Sequence, residues 1–533
     1  MRNSTWLRAA FFGLVVGIVV ASNPIVKFEE RKITYRGVPR CSVEEDFGNI
    51  RFAHDTSGLR RFAPPEPYTP PEGTEIEATA PGPACPQPTV GIPPFFVTKP
   101  MGTTPCDELP VVIHVIGGGV IKASPVIHVT FNYSLYIYLD RNSLDVGMRD
   151  QRAGSQTPGT ALNITSDATE IHTRAVAEPL GCGNNEDENK ILECLRDIPM
   201  EKLIEAAMAY SVNNHPPAGL FTFIPFVDDD FLPGSQRALH KAGKFVKGVP
   251  IVFGWTHDDG ATNAGPGPAP TFQTEEDMKI PIKNFARALT DDDYEQLFAL
   301  YPASNFEQEA HDYQAKKSES DPIAPIHYFR VARILRDLLF TCSSIYFSFK
   351  VSRQSKALNP TFTRARHYDL HGNALFHVAG MPYLRAIHGS DLDYIYTNMV
   401  SRDQISEYDR ELSYFIRAAF ISFAYTRNPS DSSSQKWSET FSDHAEFASS
   451  PTAINLQLIG GPLGTGSCHL VNDKDGNAGF SVLGNNMQSP LVNSTQLGEM
   501  ESPVSQERQR ELQRDRLFDR CAFIDSLAER LGH

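Results

Sequence analysis

Hydrophobic positions in this chain gather into runs of two kinds. The first kind is continuous and rich in β-branched residues. "LPVVIHVIGGGV" (residues 109–120) ends in three glycines, "SPVIHVTFNYSLYIYL" (124–139) follows, and "GVPIVFGWTHDDGATNAG" (248–265) runs into a loop of Gly and Asp. Continuous apolar runs bounded by turns predict strands buried on both faces, as in a parallel sheet. The second kind repeats at helical spacing: "ENKILECLRDIPMEKLIEAAMAY" (188–210), broken at Pro199, and "HYFRVARILRDLLFTCSSIYFSFKVSRQ" (327–354). Strands alternating with helices predict an α/β fold, a mostly parallel central sheet flanked by helices. A charged helical pattern at the end of the chain is expected to dock on the surface. Residues 60–105 are proline-rich and read as surface wrapping; no internal repeat or low-complexity block is present.

The first residues, "MRNSTWLRAAFFGLVVGIVVASNP", change the picture of where the protein works. Arg2 and Arg8 precede an apolar run over 9–21 that falls short of the ~18 residues a bilayer span needs. Val19, Val20 and Ala21 form a small-residue cleavage site. The pattern predicts a signal peptide over 1–21, a secreted product, no stable membrane anchor and a single domain over 22–533. Export permits disulfides. Of the eight cysteines (Cys41, Cys85, Cys106, Cys182, Cys194, Cys342, Cys468 and Cys521), Cys182 and Cys194 bracket a short polar loop entering a helix and are expected to pair. Asn163 in "NIT" and Asn493 in "NST" are candidate glycan acceptors.

Composition excludes several chemistries. The chain has 533 residues, 41% hydrophobic, and a net charge of −15 with no Lys/Arg cluster, so it repels phosphate backbones and a nucleic-acid partner is not expected. No C-x-x-C pair is present, which disfavours zinc ribbons and redox motifs. "HYDLH" places His367 and His371 four apart, but no glutamate completes an H-E-x-x-H pattern and the flanks read as extended, so no metal is expected. Neither a phosphate loop nor a dinucleotide fingerprint occurs, and no cofactor is expected.

In a parallel sheet, chemistry gathers in loops beyond the carboxyl ends of the strands. Three loops stand out: after Val115, after Gly254, and "RAIHGSDLDY" around His388. With these loops, "NIRFAHDTSGLRRFAPPEPY", "VTFNYSL", "DVGMRDQR", "LGCGNNEDENKILECLRDIP", "AGMPYLRAIHGSDLDYIY", "FISFAYTRNPS" and Trp437 line up in one order. In that order the sequence resembles the type-B carboxylesterases, the α/β-hydrolases that include cholinesterases and secreted fungal esterases and lipases. The resemblance implies hydrolysis of a small-molecule ester or lipid by a serine made nucleophilic by an imidazole, which a carboxylate orients while backbone N–H groups face the oxyanion. It implies His388 as general base and Asp259 as its acid, where the family often has glutamate, with Asp258 the alternative. It implies Gly118 and Gly119 as oxyanion-hole donors. Ile116 stands where the family usually has His or Tyr.

The nucleophile does not appear. No G-x-S-x-G occurs anywhere in the chain, and after "GMRDQR" the sequence "AGSQTPGT" stands where the family continues towards its serine. The near misses, Ser155, Ser467 and Ser481, neither follow a buried strand nor open a helix, as the strained elbow requires. A second family segment is replaced by "PACPQPTVGIPPFFVTKPMGTTPC", which carries Cys85 and Cys106. The expectation is a sheet lacking its central elbow strand and an ester hydrolase that is impaired or inactive. The alternative is a catalytically silent binding protein of the same family.

Overall fold

A computed structural model describes residues 23–80, 111–115, 127–131, 168–214, 233–264, 272–358, 365–372, 382–396, 406–430, 437–441, 451–471, 479–487 and 516–528, less positions 42–43, 52, 56, 64–65, 185–186, 235, 246, 287 and 462–463. The leader over 1–21, Gly118 and Gly119, Ser155, Cys85, Cys106, Asn163 and Asn493 lie outside the described residues. The chain divides into two compact units.

The smaller unit holds five short strands, β1 (Ile25–Phe28), β2 (Ile33–Arg36), β3 (Val38–Cys41), β4 (Glu44–Asp46) and β5 (Glu75–Glu77). β2 pairs antiparallel with β1 and parallel with β5, and β3 pairs antiparallel with β4.

The larger unit carries the α/β architecture. β6 (Val111–Val115) and β7 (Ile127–Phe131), cut from the runs at 109–120 and 124–139, pair in parallel. A helical stretch follows, α1 (Ala168–Ala177), α2 (Glu188–Asp197), α3 (Met200–Asn214) and α4 (Gln236–Lys241). Pro199, which lacks a backbone N–H, separates α2 from α3. Cys182 and Cys194 are joined by a disulfide that closes the polar loop onto α2.

A five-stranded sheet forms the centre of the unit: β8 (Ile251–Thr256), β9 (Ala365–Leu370), β10 (Ala453–Ile459), β11 (Thr465–Val471) and β12 (Gly479–Met487), in the order β12-β11-β10-β9-β8. β8, β9 and β10 run parallel; β11 and β12 return antiparallel. Between β8 and β9 come α5 (Ala261–Ala264), α6 (Glu275–Phe285), α7 (Asp291–Leu300), α8 (Glu307–Lys316), α9 (Ile326–Arg336) and α10 (Cys342–Leu358). After β9 come α11 (Ser390–Tyr396) and α12 (Glu407–Thr426), and the chain's last described helix is α13 (Leu517–Ser526).

Alternation along the parallel strands assigns the two faces. Ile251, Phe253 and Trp255 of β8 and Leu456 and Leu458 of β10 pack into a core with α9, α10 and α13. Val252 of β8 and Tyr368 and Leu370 of β9 point the other way, against Leu412, Phe415, Ile416 and Ala419 of α12 and against Trp437. The terminal helix is fixed more firmly than its charged sequence suggests. A disulfide joins Cys521 to Cys342 of α10, and the Arg520 guanidinium lies 4.1 Å over the Tyr301 ring.

β8 is buried along its whole length, yet among the described residues its one strand partner is β9. The described sheet also differs from a wholly parallel one. Ser467 and Ser481 fall inside its antiparallel strands, and Ser467 donates its hydroxyl to Gln457 Oε1 at 3.1 Å, which places it in a ladder rather than at a strand-to-helix turn.

Candidate active site

The three parallel strands end together, and the loops that leave them interlock. His257 N–H donates to Leu370 O, joining the exits of β8 and β9, and His371 N–H donates to Ile459 O, joining those of β9 and β10. The turn after β8 is tight. Asp259 N–H returns to Thr256 O at 3.1 Å, and Thr256 N–H donates to Asp259 Oδ2 at 3.2 Å, so the Asp259 carboxylate is held by its own turn. Gly260 explains why the sequence reads "DDG". A Cβ there would lie 2.1 Å from Ala332 O and 2.5 Å from Arg336 N, so the turn rests directly on the backbone of α9 and only glycine fits.

This turn brings Asp259 to His388. The Nδ1 atom of His388 lies 2.8 Å from Asp259 Oδ1, the acid being 1% exposed and the imidazole 41%. An ionised carboxylate only accepts, so Nδ1 carries the proton and Nε2 carries the lone pair, the tautomer a general base requires. Burial by itself pulls the imidazole pKa down. The Asp259 charge, its hydrogen bond and the more distant Asp391 charge outweigh burial and leave the pKa above its ordinary value. Asp391 is itself held by Tyr368 Oη at 2.8 Å.

Phe340 completes the imidazole's setting, and sequence reasoning missed it. Its ring stacks on His388 at 4.9 Å between centroids and 24° between planes. Phe340 belongs to a π-helical turn, Asp337–Thr341, between α9 and α10. Such turns widen a helix by one residue and recur at functional sites. A 3.6-residue hydrophobic period cannot disclose one, since Leu338, Leu339 and Phe340 are apolar and simply continue the pattern of the flanking helices.

A second buried cluster lies close by. His257 Nδ1 and His371 Nε2 each approach Asp369 Oδ2 to 3.3 Å, and the two rings stack at 3.9 Å. The three ligand-type atoms lie within 4.8 Å of one another, which is the spacing of a metal set. However, Arg333 donates to His257 Nε2 at 2.7 Å. That bond places the imidazole proton on Nδ1, facing Asp369, so His257 meets the carboxylate as a donor rather than as a ligand. His367, one face-step back on β9, is buried between Ser348 Oγ at 3.1 Å and Thr440 Oγ1 at 2.8 Å. Burial pushes its pKa down to about 3, against a smaller opposing contribution from a backbone bond at Ser344.

A buried acid presented to an imidazole at the mouth of parallel strands is the hydrolase type of α/β site. Comparison with known proteins agrees. The carboxylesterase family profile matches residues 154–456, and the chain belongs to that family. It is 26% identical to the inactive carboxylesterase-like protein VdtD of Byssochlamys spectabilis, over 76% of this chain and 85% of that protein. It is likewise 26% identical to a secreted lipase of Arthroderma benhamiae, over 83% of this chain and 90% of the other. The structure is similar to that of Aspergillus niger EstA, with a TM-score of 0.61 and 17% identity over 96% of this chain and 99% of the other; that likeness shows the α/β-hydrolase fold.

Proposed function

We propose that this chain is an exported member of the carboxylesterase family that carries the acid–base half of an ester-hydrolysing site without the serine that such a site activates. The observation that carries the reading is the Asp259–His388 hydrogen bond in a chain of 533 residues with no G-x-S-x-G. In the proposed chemistry Asp259 holds the His388 tautomer, His388 Nε2 would take and return a proton, and Gly118 and Gly119 would face the oxyanion. The base has no elbow hydroxyl to deprotonate, so no acyl-enzyme forms. What survives the loss of a triad member is a residual acceleration of roughly 10³–10⁴ over water.

The substrate class, an ester or lipid, is taken from relatives described as lipases. Export is supported by the secreted relative and by the two disulfides, which persist in oxidising compartments. No helix among the described residues is long and apolar enough to cross a membrane. A leader over 1–21, a single esterase domain over 22–533 and glycans on Asn163 and Asn493 are part of the same proposal. The second reading, a silent protein that binds ligands through the same site, is favoured by the relative described as inactive.

The test is hydrolysis of p-nitrophenyl acetate and butyrate by the purified secreted chain. The expected rate equals that of the His388→Ala variant. Turnover at enzymatic rates that His388→Ala abolishes would overturn the reading.

A further inference from the structure

Asp258, the neighbour of the proposed acid, has a separate set of partners. Its backbone N–H donates to Ala386 O at 2.9 Å, and its carboxylate Oδ2 accepts from Ala386 N–H at 3.3 Å. The same Oδ2 lies 3.4 Å from Arg385 Nε. Two successive acids of one turn therefore grip one loop at two places, Asp258 at 385–386 and Asp259 at 388.

The grip extends outward. Arg385 also pairs with Glu309 of α8, and Glu309 lies 3.9 Å from Arg333 of α9, the arginine that donates to His257. Two acids and two arginines thus neutralise one another beneath the site. Arg385 adopts φ +58°, a left-handed backbone that a residue with a Cβ adopts uncommonly and that its surroundings hold here.

From this geometry we infer that Asp258, working with Arg385, is a positioning residue that fastens the histidine loop to the acid loop and so sets the His388–Asp259 hydrogen bond. The inference rests on the proposed dyad. An acid needed only for folding would stabilise the chain without governing that bond. An acid that governs it controls how His388 holds its proton, because burial then acts on the imidazole with less opposition.

The test follows the His388 imidazole by NMR in the full chain with isotope-labelled histidine, assigned through His388→Gln. Four samples are titrated: the native chain, Asp258→Asn, Arg385→Gly and Asp259→Asn. Arg385→Gly suits the left-handed backbone and keeps the fold while removing the guanidinium. The expected result is a fall of about tenfold in the His388 protonation constant in Asp258→Asn and Arg385→Gly, in the direction of Asp259→Asn, with thermal unfolding still cooperative. If Asp259→Asn shifts the titration and neither Asp258→Asn nor Arg385→Gly does, the clamp is overturned and the dyad stands. If Asp259→Asn also leaves it unmoved, the dyad reading fails and the clamp with it.

Discussion

Single side chains in this protein are set by what surrounds them more than by their type. His388 and His367 are both imidazoles beside the same sheet, and their proton affinities are pushed in opposite directions. Burial is the largest single influence on His388, but the Asp259 charge, its hydrogen bond and the Asp391 charge together outweigh it. His367 has hydroxyl partners and no carboxylate, so burial prevails. The His367 case carries a pH prediction. Its folded pKa lies below the ordinary ~6.5, so the folded state resists protonation while the unfolded chain accepts it. The stability it contributes is complete above about pH 6.5 and is lost as pH falls towards the folded value, by up to roughly 1.4 kcal/mol per pH unit. Urea unfolding between neutral pH and pH 5 checks this. The native chain is expected to lose stability relative to His367→Gln, and parallel curves for the two would refute it.

At the scale of elements, the site depends on close approach. The turn after β8 sits on α9 through Gly260, and Gly254 within β8 faces its cross-strand partner Tyr368 so closely that a Cβ would lie 2.1 Å from the ring. Gly260→Ala is expected to cost about 1–3 kcal/mol through overpacking and to lift the acid loop from α9. A melting temperature unchanged from the native would show that the turn has room. The disulfides make a graded prediction. Cys342–Cys521 spans 179 residues and Cys182–Cys194 spans 12. By loop-closure entropy the longer link stabilises by about 5 kcal/mol and the shorter by about 3. Thermal unfolding of Cys521→Ser and Cys194→Ser is expected to rank in that order, the longer loop losing more.

The whole molecule shows what could be read in advance and what could not. The strand at 251–256, the helix break at Pro199 and the α/β class follow from local pattern, because burial on both faces and helical spacing are written into consecutive residues. The antiparallel strands β11 and β12 were harder. "TGSCHLV" and "GFSVLGNNM" are short, glycine-bearing and partly polar, and their register depends on β10 rather than on their own pattern. Asp259 and His388 were legible through motif and chain order, although 129 residues separate them. Phe340 and the contacts of Asp258 with residues 385–386 were not, since a π-turn hides inside a continuous helical pattern and a loop-to-loop grip joins residues far apart in sequence. Ile116 and the glycines beside it lie outside the described residues, so the oxyanion loop stands as a reading of sequence.

At the same scale stands the claim on which the rest depends, that a prepared base faces no serine. Incubation of the purified chain with a tagged fluorophosphonate, read by intact-mass spectrometry, addresses it most directly. No adduct is expected, on the native chain or on His388→Ala. Stoichiometric labelling of the native chain that His388→Ala removes would reveal an activated hydroxyl and contradict the account.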